Sequence, residues 1–175
     1  MSKQTDFFTK YGDAVVSSTN GTNIFPSVKL AQMALETGYG DSIKVAANNA
    51  YGIKAGKAWS GKVISNTTSE DDPSGVKTIY KGTNKVYNSY TQAINDSADY
   101  RTLFRVYSDV AESIRDYNNI LLRPRFKPAM QAKTPEEQAL QLKLCGYATG
   151  YDYANILVQI INSYNLRQYD LKKKV

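Results

Sequence analysis

The sequence contains no histidine in 175 residues. That absence excludes Ser-His-Asp and Cys-His triads, imidazole acid–base chemistry and every histidine-ligated metal site. Catalysis, if present, falls to carboxylates, tyrosines, lysines or hydroxyls. Cysteine is nearly as scarce. The single Cys145 rules out an intrachain disulfide, and among Leu142, Leu144 and Tyr147 it is expected to be a buried structural thiol rather than a nucleophile. No apolar run approaches the ~20 residues of a membrane span, so no membrane insertion is expected. The start, Met1-Ser-Lys-Gln-Thr-Asp6, lacks the apolar core of a secretory signal.

What is present is ordinary in amount and unusual in kind. Hydrophobic residues at 42% and charged residues at 22% describe a globular chain, and 175 residues suit one domain spanning 1–175. The net charge of +6 suggests an anionic partner: nucleic acid, an acidic polymer or a cell wall. The basic residues are scattered apart from Lys172-Lys-Lys174 and the group Arg123, Arg125 and Lys127, and no nucleic-acid-binding motif is present, so no nucleic-acid partner is expected. Tyrosine occurs 14 times against five Phe and one Trp. Rings with a hydroxyl suit a core with polar tips, and equally a groove that holds sugars.

Thr5 or Asp6 is placed to cap a first helix running to about position 17, with Phe7, Phe8, Tyr11, Ala14 and Val15 on one face. A second helix starts near Pro26 or Ser27 and stops at Gly38 and Gly40. Its apolar residues Val28, Leu30, Ala31, Met33, Ala34 and Leu35 cover more than one stripe, which predicts a central, mostly buried helix. A short helix is expected around 42–47, then a turn and a strand over 48–54. From 59 to 106, β-branched pieces at 62–68, 76–80 and 85–87 alternate with Gly, Asn, Asp, Pro and Ser, which predicts a small antiparallel lobe with a hairpin tip at 71–75. Helical pattern returns at Ser108-Asp109, with Val110, Ile114, Tyr117 and Leu121 on one face. Pro124 and Pro128 bracket a short helix or turn. Thr134-Pro-Glu-Glu137 forms a capping box opening a helix that ends at Gly146. The last helix begins near Asp152, with Ile156, Leu157, Ile160, Ile161 and Tyr164 as its buried stripe. The expected class is α+β.

Glu36 occupies the last turn of the second helix, where the helix dipole disfavours an ionised carboxylate. Two readings stand: a solvated acid at a helix end, or a group whose task is to hold a proton and donate it. A partly buried carboxyl there would have a raised pKa, as a glycosidase general acid requires.

Leu30-Ala-Gln-Met-Ala-Leu-Glu-Thr-Gly-Tyr-Gly40, then Asn49-Ala-Tyr-Gly-Ile-Lys54 and Trp59-Ser-Gly-Lys62, closely resemble the bacterial endo-β-N-acetylglucosaminidases that cut peptidoglycan, glycoside hydrolase family 73 of the autolysin and flagellar-peptidoglycanase type. Residues 104–117, Gly146-Tyr-Ala-Thr149, Tyr153-Ala-Asn-Ile-Leu157 and Ile160-Ile-Asn-Ser-Tyr164 continue the match in order. The resemblance implies a lysozyme-like fold, mainly a helical body, with the β-lobe (about 59–106) forming one side of a cleft. It implies hydrolysis of the bond from N-acetylglucosamine to N-acetylmuramic acid, without metal or cofactor, by a monomer acting on glycan strands at the wall, in the periplasm or outside the cell. Export would then be by lysis, a secretion system or a removed signal.

The resemblance also implies Glu36 as general acid, Glu70 as the second carboxylate with Asp71 and Asp72 as rivals, and Tyr147 beside the acid. Tyr39, Asn49, Tyr51 and Trp59 fall on positions flanking the cleft, with core packing an equal reading for Tyr51 and turn formation one for Asn49. Tyr39 replaces a common Trp, Tyr51 a common Phe, Thr149-Gly-Tyr-Asp152 a more usual Thr-Asp-Pro run, and the stretch from Glu70 to Phe104 is longer than a simple hairpin. Other lysozyme-like activities (a muramidase or a lytic transglycosylase) and a non-catalytic glycan-binding or phage structural protein are the alternatives.

Overall fold

Residues 2–42, 47–71, 76–148, 150 and 152–174 are described by the structure, a computed structural model. The elements run α1 (Lys3–Thr19), α2 (Pro26–Thr37), β1 (Val63–Ser65), β2 (Thr68–Asp71), β3 (Lys77–Tyr80), β4 (Val86–Tyr87), α3 (Tyr90–Asn95), β5 (Leu103–Arg105), α4 (Val110–Leu121), α5 (Lys127–Met130), α6 (Pro135–Leu144), α7 (Tyr153–Ser163) and α8 (Arg167–Asp170). The α+β class is as expected. Among the described residues no helix is long and apolar enough to cross a membrane. Two compact units divide the chain: Met1–Ser42 with Ile114–Val175, and Ile43–Ser113.

The first unit is helical and is organised around α2, which packs on α1, α6, α7 and α8. Every residue from Pro26 to Ala34 is buried, so the reading of α2 as a central helix holds. α1 begins earlier than Thr5 or Asp6 because Ser2 is the cap: its hydroxyl accepts the Thr5 N–H at 3.3 Å. α6 opens on Thr134 as predicted, its Oγ1 accepting the Glu137 N–H (3.2 Å), while the Glu137 carboxylate reaches back one residue further than a capping box requires and accepts the Lys133 N–H (2.7 Å). It closes in a Schellman motif. Gly146 takes φ 76, its N–H returns to Lys143 O (2.9 Å), and the Tyr147 N–H returns to Leu142 O (3.0 Å). Cys145, at the end of that helix, is only partly buried.

The second unit carries a three-stranded antiparallel sheet ordered β4-β1-β5 and a separate β2-β3 hairpin. The strand expected over 62–68 is therefore two, β1 and β2, which belong to different sheets. Two elements of this unit were not expected, as α8 was not in the first. β5 is three residues long, too short for alternation to register. α3 did leave a signal: Ser89 and Gln92 stand at capping-box spacing, and Ser89 Oγ accepts the Gln92 N–H at 3.1 Å. The core of this unit is Ala55, Val63, Tyr87, Ala93, Ala98 and Leu103. Most of the short helix expected at 42–47 and of the hairpin tip at 71–75 lies outside the described residues.

Gly82 is fixed by a close approach. A Cβ there would fall 2.3–2.6 Å from the backbone of Asn66 and Thr67, which cannot give way as a side chain would. Gly82→Ala is expected to destabilise the protein by about 1–3 kcal/mol, as overpacking does. Urea unfolding of the variant, compared with the native protein, measures this; an unchanged midpoint contradicts it.

Candidate active site

α2 is anchored along its whole length. Its cap residue, Phe25, has no side-chain acceptor, and side chains distant in sequence supply what is missing. Gln138 Oε1 accepts the Phe25 N–H at 2.9 Å, and Asp170 Oδ1 accepts the Ser27 N–H at 2.8 Å. Midway, the buried Lys29 donates from Nζ to Ser18 Oγ (2.9 Å), Ile114 O (2.6 Å) and Asn118 Oδ1. Burial pushes the pKa of Lys29 down to about 7. Gln32, fully buried one turn before Glu36, donates from Nε2 to Tyr153 Oη at 2.9 Å.

Past Glu36 the chain turns through three successive left-handed residues, Gly38 (φ 57), Tyr39 (φ 57) and Gly40 (φ 97). For tyrosine this conformation is unfavourable. It is held by the Tyr39 N–H to Ala34 O (2.9 Å) and by a ring set edge-on among Phe7, Phe8 and Tyr164, with centroids 5.7–6.1 Å away. Burial, helped by the Tyr164 hydroxyl, pushes the Tyr39 phenol up to about 12.

Glu36 presents its surface to solvent, yet the protein around its carboxyl strips enough hydration to raise its pKa, and desolvation is the cause. The direction matches the expectation for a proton donor. Tyr147 and Tyr153 have pKa values raised well above the phenol range, first by burial and further by the negative charge of Glu36, so both hydroxyls keep their protons near neutral pH. The Schellman turn at Gly146 sets the backbone of Tyr147. Its ring packs against Tyr117 (6.1 Å), Phe126 (6.1 Å) and Tyr153 (5.7 Å). The helical unit thus brings Glu36, Tyr147 and Tyr153 under one electrostatic influence.

The remaining expected site residues belong to the second unit. Asn49 closes a tight loop: Nδ2 donates to Ile53 O and Arg105 O (3.0 Å each), and Oδ1 accepts the Ile53 N–H (2.9 Å), with Gly52 at φ 58. Tyr51 is 4% exposed, within the core. Trp59 is half-buried, its Nε1 donating to Lys62 O (2.9 Å) and its ring contacting Tyr107 (5.6 Å between centroids) and the Arg105 guanidinium (4.7 Å). Glu70 is exposed on β2, opposite Thr78 of β3, with Lys54 Nζ 3.6 Å from its Oε1. Asp72 and the side chain of Asp71 lie outside the described residues. Among the described residues no three His, Cys, Asp or Glu side chains group to hold a metal ion.

Sequence reasoning passed over Gln32, Tyr153 and Lys54. All three stand inside the quoted motifs, and Gln32, four residues before Glu36, shares its helix face. That spacing was the available signal.

The model of the glucosaminidase family, described as mannosyl-glycoprotein endo-beta-N-acetylglucosaminidase, matches residues 12–166. The chain is 30% identical over 155 residues to the exo-glucosaminidase LytG of Bacillus subtilis, covering 85% of this chain and 47% of that protein. It is 33% identical over 138 residues to the peptidoglycan hydrolase FlgJ of Salmonella typhimurium, covering 75% of this chain and 37% of that one. The chain therefore spans about half the length, or less, of these curated relatives. Among solved structures, the catalytic domain of the autolysin Auto from Listeria monocytogenes superposes with a TM-score of 0.71 at 27% identity, covering 97% of this chain and 88% of that one. A glycoside hydrolase domain of Salmonella typhimurium FlgJ gives 0.67 at 28% identity, covering 93% and 97%.

Proposed function

The chain belongs to the glucosaminidase family, and from that premise we propose that it hydrolyses peptidoglycan glycan strands at the β-1,4 bond from N-acetylglucosamine to N-acetylmuramic acid. The observation that carries the reading is Glu36, an acid on a rigidly anchored helix whose pKa is raised by desolvation beside two protonated phenols.

In this reaction Glu36 gives its proton to the glycosidic oxygen as the C1–O bond breaks. A water molecule adds to C1 and yields a proton to Glu70, so one water is consumed per bond. Asp71 and Asp72 are the rivals of Glu70. In the other route the acetamido oxygen attacks C1 first and water opens the resulting ring, giving retention in place of inversion. Tyr147 serves either route by orienting the N-acetyl group. Tyr39, Asn49, Tyr51 and Trp59 shape the sugar path, Asn49 by closing its own loop and Tyr51 from within the core of its unit. The whole chain 1–175 works as one glucosaminidase domain and as a monomer, without metal or cofactor, at the cell wall. The +6 charge favours binding to an anionic wall polymer.

Mass spectrometry of digested sacculi tests this. Reducing-end N-acetylglucosamine is expected; reducing-end muramic acid or the anhydro form assigns the chain to the muramidase or transglycosylase alternatives. The time course separates internal cutting, the family model's description, from the end-wise cutting that LytG's name describes. Mixed fragment sizes from the first minutes support the former.

A further inference from the structure

Lys54 closes the Asn49 motif, and no step of the reaction above uses it. Its backbone is bridged to Phe104 of β5, so the loop held by Asn49 and Gly52 delivers it in fixed register to the three-stranded sheet. Its ammonium lies 4.2 Å from the centroid of the Phe104 ring and donates to Arg101 O. From there Nζ is 3.6 Å from Glu70 Oε1. Glu70 itself stands on a two-stranded hairpin outside that sheet. Among the described residues, other contacts to the hairpin and its flanks are the Gly82 N–H to Thr67 Oγ1 (3.0 Å) and the Arg101 guanidinium over the Tyr80 ring (4.0 Å).

We propose that Lys54 is a positioning residue for Glu70: a cation pre-ordered by the sheet, which fixes the hairpin carboxylate in the orientation that water activation needs. The inference rests on the reading of Glu70 as the second carboxylate.

An exposed ion pair ordinarily contributes little, because two flexible side chains must be ordered to make it. Here the ring, the carbonyl and the backbone bridge have already ordered one partner, so the contact restrains the other at small entropic cost. Asp99 and Arg101 pair with each other at 2.7 Å, and Lys77 of β3 stands opposite Asp71, one residue beyond Glu70. Among the described residues, Lys54 is the cation paired with Glu70 itself. Its role is therefore to orient rather than to stabilise.

The test compares Lys54→Met, Lys54→Arg, Glu70→Gln and the double variant Lys54→Met/Glu70→Gln on soluble peptidoglycan fragments, with thermal midpoints as a control. Lys54→Met is expected to lower kcat about tenfold with KM nearly unchanged, the scale of losing one oriented, partly exposed charge contact. Lys54→Arg should recover most of that loss, and Lys54→Met should cost nothing further in the Glu70→Gln background. Native kcat in Lys54→Met, or an equal loss in both backgrounds, overturns the inference while leaving Glu70 in its role. Full activity in Glu70→Gln overturns both the assignment of Glu70 and the inference built on it. Lys54→Arg keeps the charge, so its recovery separates positioning from damage to the fold.

Discussion

Glu36→Gln is expected to lower kcat on peptidoglycan by about 10²–10⁴-fold, the range for removing a general acid, with the upper end favoured because a sugar alkoxide leaves poorly without a proton. The amide preserves the volume and hydrogen-bonding shape of the carboxyl, so KM and glycan binding should be kept. Stability should move the other way. Because desolvation raises the folded-state pKa of Glu36 above its unfolded value, the unfolded chain gives up that proton first as pH rises. The fold carries a cost that is absent at low pH and is complete once pH exceeds the folded pKa. Removing the charge removes the cost, so at pH 7 the variant should melt at the same temperature as the native protein or higher. The basic limb of the native pH–rate profile should lie above the ordinary carboxylate range for the same reason. Wall-clearing assays, isothermal titration with a chitin-type oligosaccharide and calorimetry measure the three quantities. Equal clearing by both proteins would falsify the role of Glu36.

Lys29→Met should change how stability depends on pH. In the fold the Lys29 pKa lies at about 7, against 10.5 for a solvated lysine. Between those values the unfolded chain holds a proton that the native state has lost, so native stability rises as pH climbs from about 7 to about 10.5 and is insensitive to this group below 7. The span of the effect is at most on the order of 5 kcal/mol. Methionine carries no charge to bury, so the variant should lack this rise. Near pH 6 it should match or exceed the native protein, as apolar replacements of buried charges often do. Near pH 10 it should be the weaker, because the native amine still serves Ile114 O and Asn118 Oδ1 at little charging cost. Urea unfolding of both proteins from pH 6 to pH 10 gives the two curves. Curves that cross support this account, and parallel curves refute it.

The parts of this fold legible in the sequence are those whose causes are local. Pro26 and Gly38 punctuate α2, Thr134 and Glu137 open α6, and Leu157, Ile160 and Ile161 mark the buried stripe of α7. Glu36 was legible because its place at a helix end contradicts its charge. What escaped depends on partners far along the chain. Nothing near Lys29 announces Ile114 or Asn118, and nothing near Ser27 announces Asp170. β5 escaped because its three residues are held as a strand by partners far back in the chain, β1 and the bridge to Lys54. Trp59 presents the same difficulty. The family resemblance implies a ring flanking the sugar cleft, but the guanidinium and ring against it come from Arg105 and Tyr107. Lys54 was quoted in a motif and passed over, because a lysine in a strand-like segment reads as a solvated charge until Phe104 and Glu70 are seen around it.

The helical unit is assembled from both halves of the chain, and that has a consequence for synthesis. α1 and α2 leave the ribosome well before the groups that complete them. Gln138 and Asp170 finish the start of α2, and Tyr169 lays its ring over Gly12 and donates to Phe8 O. At typical elongation rates roughly ten seconds or more separate Ser27 from Asp170. The faces of the two helices that α6, α7 and α8 cover stay open while the whole of Ile43–Ser113 is being made. The nascent chain is thus exposed to aggregation for longer than one whose helices pack in sequence order, and chaperone supply or elongation rate should govern the yield of active protein more than the stability of the finished fold does.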